Sequence, residues 1–109
     1  MINEESEEET ENILSSVEYS ILGHIFMSPV RSKIVISLLN GSVFPSQIQK
    51  QTNINFSSIS KNLKKLKHHG IVKCQNPSQK IGRIYTLSKK VKDLEPYIRD
   101  WYNKHQSKL

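Results

Sequence analysis

Asn53-Ile54-Asn55-Phe56-Ser57-Ser58-Ile59-Ser60-Lys61-Asn62-Leu63-Lys64-Lys65-Leu66-Lys67-His68-His69-Gly70-Ile71-Val72 decides how the rest of this chain is read. The spacing predicts one amphipathic helix over residues 55–69. Asn55 suits the N-cap, because its side-chain oxygen can accept from a free first-turn amide. Gly70 stands where a left-handed residue closes a helix. Ile59, Leu63 and Leu66 follow at i, i+4 and i+7, so they share one face about 100° wide. Ser57, Lys61, Lys64, Lys65 and His68 point the other way. Small hydroxyl donors near a helix start, with lysines further along, suit a DNA major groove: the short groups approach base edges and the lysines reach phosphates. The plainer reading is a surface helix with solvated lysines, so the flanking sequence must arbitrate.

Charge arbitrates first. The 109 residues carry a net charge of +6, unevenly divided. Residues 1–11 hold six Glu and no base, while residues 12–109 hold sixteen Lys or Arg against Glu18, Asp93, Glu95 and Asp100. From Tyr19 to Lys92 there are thirteen bases and no acid. Soluble surfaces normally mix both signs. A long span purged of carboxylates points to a polyanionic partner, since each carboxylate near phosphate would repel it. An anionic membrane is the competing polyanion, but the apolar positions are committed to a core rather than to an exposed stripe. No apolar run approaches the ~20 residues of a membrane span, and no N-terminal signal pattern is visible, so a cytoplasmic protein is expected. The length suits a single domain. The lone Cys74 has no partner for a disulfide or a zinc pair, and a structural thiol is expected.

Outward from the central stretch, the glutamate run to Glu11 is expected to form an acidic, disordered tail or a frayed helix start. Its plain role is solubility. A sharper one is competition with nucleic acid for the basic surface. Asn12 to Met27 reads as a helix with Ile13, Val17, Ile21 and Ile25 repeating at four, with Leu14 alongside. Ser28-Pro29-Val30-Arg31 restarts the chain, with Ser at N-cap and Pro at N1. Ile34, Val35, Ile36, Leu38 and Leu39 then mark a buried helix that stops at Asn40-Gly41. Ser42-Val43-Phe44 suits a two- or three-residue strand. Pro45 to Thr52 is a short helix with Ile48 inward, and so short a turn before the next helix makes a helix-turn-helix. After Gly70, Ile71–Cys74 and Arg83–Leu87 are strand-like, and residues 75–83 form a long, basic, flexible hairpin tip. Ser88 is expected to cap a final helix carrying Val91, Leu94, Ile98, Trp101 and Tyr102, kinked or split at Pro96.

The fold class is therefore mainly α with a small β-hairpin. The order of parts resembles the winged helix-turn-helix of small prokaryotic transcription regulators, with extra terminal helices. Ser28-Pro29-Val30-Arg31 and Ile34 look like the start of the first core helix in ArsR-type proteins. Phe56 to Leu66, with Gly70-Ile71-Val72, is similar to their recognition helix and first wing strand. Tyr85-Thr86-Leu87-Ser88, with Leu94-Glu95-Pro96 and Trp101, looks more like MarR and HxlR regulators. Phe44 departs from the usual Ser or Thr N-cap, Gln49 stands where a small residue is common, and Asn53 replaces the usual turn glycine. The cysteine pairs and helix-end ligands of metal-sensing members are absent, so no metal or other cofactor is expected.

The resemblance and the residues together imply a homodimeric regulator of double-stranded DNA. Its recognition helix would enter the major groove, and wing 75–83 would lie on the adjacent groove. Ser57, Ser58, Ser60 and Lys61 are the candidates for base-edge contact; the plainer reading is helix-start serines with no ligand. Lys64, Lys65 and Gln47 are candidates for phosphate, against simple solvated polarity. Lys80 and Arg83 would put charge on the wing, unless Arg83 is merely a strand residue. Arg31 fits either phosphate contact or a local cap. Ile13, Val17, Ile21, Tyr97, Ile98, Trp101 and Tyr102 are candidates for the dimer interface, against simple closure of one chain's core. His68 and His69 are adjacent and point about 100° apart, so they do not chelate one metal, and His24 and His105 have no ligand-spaced neighbour. Between residues 19 and 92 there is no carboxylate pair for acid–base work, so an enzyme is not expected. Two other classes stay open: an architectural winged helix with little sequence preference, and a winged helix used for RNA or protein assembly.

Overall fold

The computed structural model describes residues 14–105. The acidic tail, together with Asn12 and Ile13, lies outside the described residues. The described order is α1 (Ser16–Phe26), α2 (Pro29–Leu39), α3 (Pro45–Thr52), α4 (Phe56–His68), β1 (Val72–Cys74), β2 (Tyr85–Leu87), α5 (Lys89–Asp93) and α6 (Glu95–His105).

The first helix begins at Ser16, later than the Asn12 suggested by its apolar period. Ser15 stops it with a reciprocal cap: the Glu18 amide donates to Ser15 Oγ at 3.1 Å, and the Ser15 amide donates to Glu18 Oε1 at 2.8 Å. Two free amides are satisfied at once. The Ser15 amide, then its hydroxyl, hold the Glu18 carboxyl below its ordinary pKa.

α2 is the central helix. Ser28 Oγ accepts from the Arg31 amide at 3.2 Å, with Pro29 at the first helical position. α2 touches α1, α3, α4, β2 and α6. Ile34 and Val35 are fully buried there, and each such side chain contributes roughly 1.5–3 kcal/mol by leaving water. α2 also closes the end of α1, which it meets at 108°. The Ser32 hydroxyl donates to the Ile25 carbonyl at 2.9 Å, and Arg31 Nε donates to the His24 carbonyl at 2.6 Å. Both carbonyls lie in the last turn of α1, where intrahelical donors run out. Arg31 is therefore a local cap. No single described helix is long and apolar enough to cross a membrane.

Ser42-Val43-Phe44 does not form a strand. It meets the hairpin through one bond, from the Tyr85 amide to the Val43 carbonyl at 2.9 Å. The strands are shorter than their sequence suggests and pair antiparallel, Val72 with Leu87 and Cys74 with Tyr85. The final helix is split as Pro96 requires, with the break at Leu94. Ser88 holds the N-cap position of α5, but its side chain makes no capping bond and its buried Oγ has no partner. Cys74 is a free, half-buried thiol.

Candidate nucleic-acid interface

The turn between α3 and α4 is built by local chemistry. Phe44 stands at the N-cap of α3 and cannot accept a bond. Gln47 compensates: its Oε1 takes the Val43 amide at 2.8 Å and the Phe44 amide at 2.9 Å. Asn53 ends α3 in the left-handed region at φ 60°, a conformation asparagine tolerates better than most residues. Asn55 Oδ1 then accepts from the Ser58 amide at 2.8 Å and from Ser57 Oγ at 2.9 Å. At the far end Gly70, φ 71°, closes a Schellman motif. The Gly70 amide bonds the Lys67 carbonyl at 3.0 Å, and the Ile71 amide bonds the Leu66 carbonyl at 2.9 Å.

Ile59, Leu63 and Leu66 are buried, which fixes the rotation of α4. Ser57, Lys61, Lys64 and Lys65 fall on the opposite, exposed face. Ser60 is exposed at its flank. Ser58 is half-buried and sits to one side; Asn62 Nδ2 bonds its carbonyl at 2.8 Å. Gln47 is exposed, but its acceptor oxygen is occupied by backbone amides, leaving its amide nitrogen to reach outward.

The wing tip is not a loose loop. Asn76 Oδ1 accepts from the Ile84 amide at 2.8 Å, Asn76 Nδ2 donates to the Gly82 carbonyl at 3.1 Å, and Arg83 Nε donates to the Gln79 carbonyl at 2.6 Å. These bonds fix the shape of the tip. Phe56 and Ser60 of α4, Phe44, Pro45 and Ser46 at the start of α3, and Lys80, Ile81, Gly82, Arg83 and Tyr85 of the hairpin line one cleft of about 480 Å³. The wing cations and two exposed residues of α4, Phe56 and Ser60, thus border a shared concavity.

Electrostatics keep that face positive. The ion pairs among the described residues are Lys89 with Asp93, Arg99 with Glu95 and Lys104 with Asp100, all on α5 and α6. Among the described residues, Lys61, Lys64, Lys65, Lys80 and Arg83 have no carboxylate partner.

The residues proposed for pairing two chains separate. Val17 is 54% exposed and Tyr97 43%. Ile21 and Tyr102 are half-buried. Trp101 is stacked between Phe26, at 4.3 Å, and His105, at 4.6 Å, within one chain. Ile98 must be corrected: it is 1% exposed and belongs to the core of a single chain, so it has no surface left for a partner. Its helical neighbours share its apolar character, and the sequence alone does not say which side of α6 faces α2. Ile13 lies outside the described residues.

Sequence reasoning missed two features. Phe56 is 52% exposed and Ile81 90% exposed, both at the cleft. Their signal was an apolar residue beside polar ones, at a helix start and at a hairpin tip. The other feature is a contact between His24 and His69, whose rings stack. Among the described residues no group of three His, Cys, Asp or Glu stands where it could hold a metal.

The family model described as "Bacterial regulatory protein, arsR family" matches residues 28–73, from the cap of α2 through β1. With the helix-turn-helix and hairpin, that match shows residues 28–73 to be similar to the arsR-family regulators, and it supports a DNA-binding transcriptional regulator. Among solved structures, the chain is similar to the transcriptional repressor BigR from Xylella fastidiosa, with 23% identity and a TM-score of 0.63 over 94% of this chain and 95% of that one. That likeness speaks to the fold. No curated protein matches the chain.

Proposed function

We propose that this protein is a homodimeric, sequence-specific regulator that binds double-stranded DNA through α4 in the major groove and the wing on the adjacent groove. One observation carries the reading. The wing cations Lys80 and Arg83 share a cleft with Phe56 and Ser60 of α4, the α4 lysines are exposed, and the ion pairs among the described residues all lie on α5 and α6. Ser57, Ser60 and Lys61 are the residues for base edges, with Ser58 at their flank. Lys64, Lys65, Gln47, Lys80 and Arg83 serve phosphate and the wing contact. Exposed Val17 and Tyr97, and the half-buried Ile21, Trp101 and Tyr102, are the residues the described terminal helices offer for pairing. Two-fold pairing would set the recognition helices about one DNA turn, roughly 34 Å, apart and favour a palindromic site.

The test is genomic footprinting of the protein on its own chromosome, followed by binding to the recovered duplex and to a shuffled control. The expected result is a recurring palindrome bound far more tightly than the control. Equal affinity for both would reject sequence specificity. It would favour an architectural role, which the hydroxyl-rich start of α4 already makes physically reasonable: Ser57 Oγ is engaged with Asn55, and the first turn has no long base-reading side chain. A folded protein with no duplex affinity at low salt would overturn the reading and favour RNA or protein assembly.

A further inference from the structure

Ile81 is 90% exposed at the tip of the wing, and Phe56, at the first position of α4, is 52% exposed. Both line the same cleft, together with the aromatic rings of Phe44 and Tyr85. Water around large apolar groups is costly, and a cleft lined by a half-exposed Phe56 and a bare Ile81 is not explained by the packing of one chain. The rim supplies the second half of the argument. Lys80 and Arg83 stand at it, Ser46 and Ser60 add hydroxyls, and no carboxylate is among the lining residues. The chemistry is apolar within and cationic at the edge. A partner that fits both must be anionic in a regular way and carry apolar faces between its charges. A nucleic-acid strand does: phosphates alternate with deoxyribose rings, and thymine adds a methyl group.

We infer that this cleft seats one sugar–phosphate strand of the duplex, with Phe56 and Ile81 packed on its deoxyribose faces. This rests on the DNA-binding reading and adds a component to it. When α4 occupies the major groove and the wing occupies its neighbour, the strand dividing the grooves passes between them, where the cleft lies. Lys80 and Arg83 then hold phosphate, while Phe56 and Ile81 add a grip that releases no counterions. The two kinds of contact differ in their response to salt. Neutralising a phosphate contributes about 0.9 to the slope of log affinity against log salt; an apolar contact contributes none.

The experiment measures binding of a fluorescein-labelled mixed-sequence duplex across a KCl series for the wild-type chain, Ile81→Ser, Phe56→Ala and Lys80→Ala. Ile81 is open to solvent, so Ile81→Ser does not threaten the fold. Phe56→Ala is paired with Phe56→Leu, which retains apolar bulk. The expected result is about five- to tenfold weaker binding for Ile81→Ser and for Phe56→Ala, at an unchanged salt slope, with partial recovery in Phe56→Leu. Lys80→Ala should instead lower the slope by about 0.9. Unchanged affinity in Ile81→Ser and Phe56→Ala, or a loss that appears wholly as a change of slope, overturns the inference while leaving the wild-type binding intact. Absence of duplex binding by the wild-type chain would instead defeat the underlying reading, and this inference with it.

Discussion

His24 and His69 lie face to face, their ring centroids 3.6 Å apart and their planes 17° from parallel. His24 belongs to α1 and His69 is the C-cap of α4. The stack therefore ties a terminal helix to the helix that carries the candidate interface. His69 Nδ1 lies 3.0 Å from the Lys65 carbonyl; a carbonyl only accepts, so that nitrogen holds the proton. His24 Nε2 is buried and has no partner.

This pair sets a pH dependence. Burial, then Arg31, His69 and Lys65, lower the His24 pKa to about 4 from an ordinary 6.5. The folded chain thus holds His24 neutral where the unfolded chain would protonate it. The stability involved is fully present above 6.5 and is lost as pH falls from there toward 4. Discounted for the partly exposed ring, the loss is on the order of 1–2 kcal/mol. Urea denaturation across that window should show the decline in the wild type and a flatter profile in His24→Phe, which retains a ring but cannot take a proton. Parallel profiles would exclude His24 as the cause.

Gly70 has φ 71°, and a Cβ built there would meet no neighbour within 4 Å. Space is not the constraint; backbone conformation is. Gly70→Ala should cost about 1 kcal/mol through left-handed strain, seen as a lower thermal midpoint with the same fold by circular dichroism. A neutral or stabilising effect would contradict the Schellman closure of α4.

Ser37 and Ser42 are buried, with their hydroxyl oxygens 2.8 Å apart, and Ser37 Oγ lies 3.0 Å from Gln51 Oε1. The amide oxygen only accepts, so Ser37 donates to Gln51 and accepts from Ser42. Ser37→Ala strands the Ser42 hydroxyl and should cost about 1–2 kcal/mol. The double variant Ser37→Ala, Ser42→Ala should lose less than the sum of the singles. Strict additivity in a double-mutant cycle would show that the two do not act as a unit.

Lys64 stands on the exposed face of α4 among residues with no carboxylate partner in the described structure. Lys64→Ala should weaken binding about equally for all duplexes and reduce the salt slope by about 0.9. A salt slope equal to that of the wild type would remove Lys64 from the phosphate contacts.

Val17 and Tyr97 are exposed in the single chain, whereas Ile98 is not. If the chain pairs as proposed, Val17→Glu and Tyr97→Glu should shift it toward monomer in sedimentation velocity, with the fold retained. Ile98→Glu should unfold the chain, because it buries a charge with no partner. If the two surface variants remain fully dimeric, the pairing surface lies elsewhere.

What the linear sequence determined was local or periodic. Asn55 at the start of α4, the face of Ile59, Leu63 and Leu66, the restart at Ser28-Pro29 and the break before Pro96 all depend on neighbours within a turn or two. A helical period and a capping oxygen are visible in a linear string. The same string showed charge of one sign accumulating from Tyr19 to Lys92, since composition needs no geometry.

What it did not show depends on contacts between distant segments. The choice of Ile98 for the core, the seating of Arg31 on the His24 carbonyl, the stack of His24 on His69 and the placing of Phe56 and Ile81 on one cleft each join residues from different elements. An amphipathic pattern says that a face will be buried but not against what. Only the packing of α1, α4, α6 and the hairpin around α2 made that choice, because burial is a property of the assembled chain and not of a residue type.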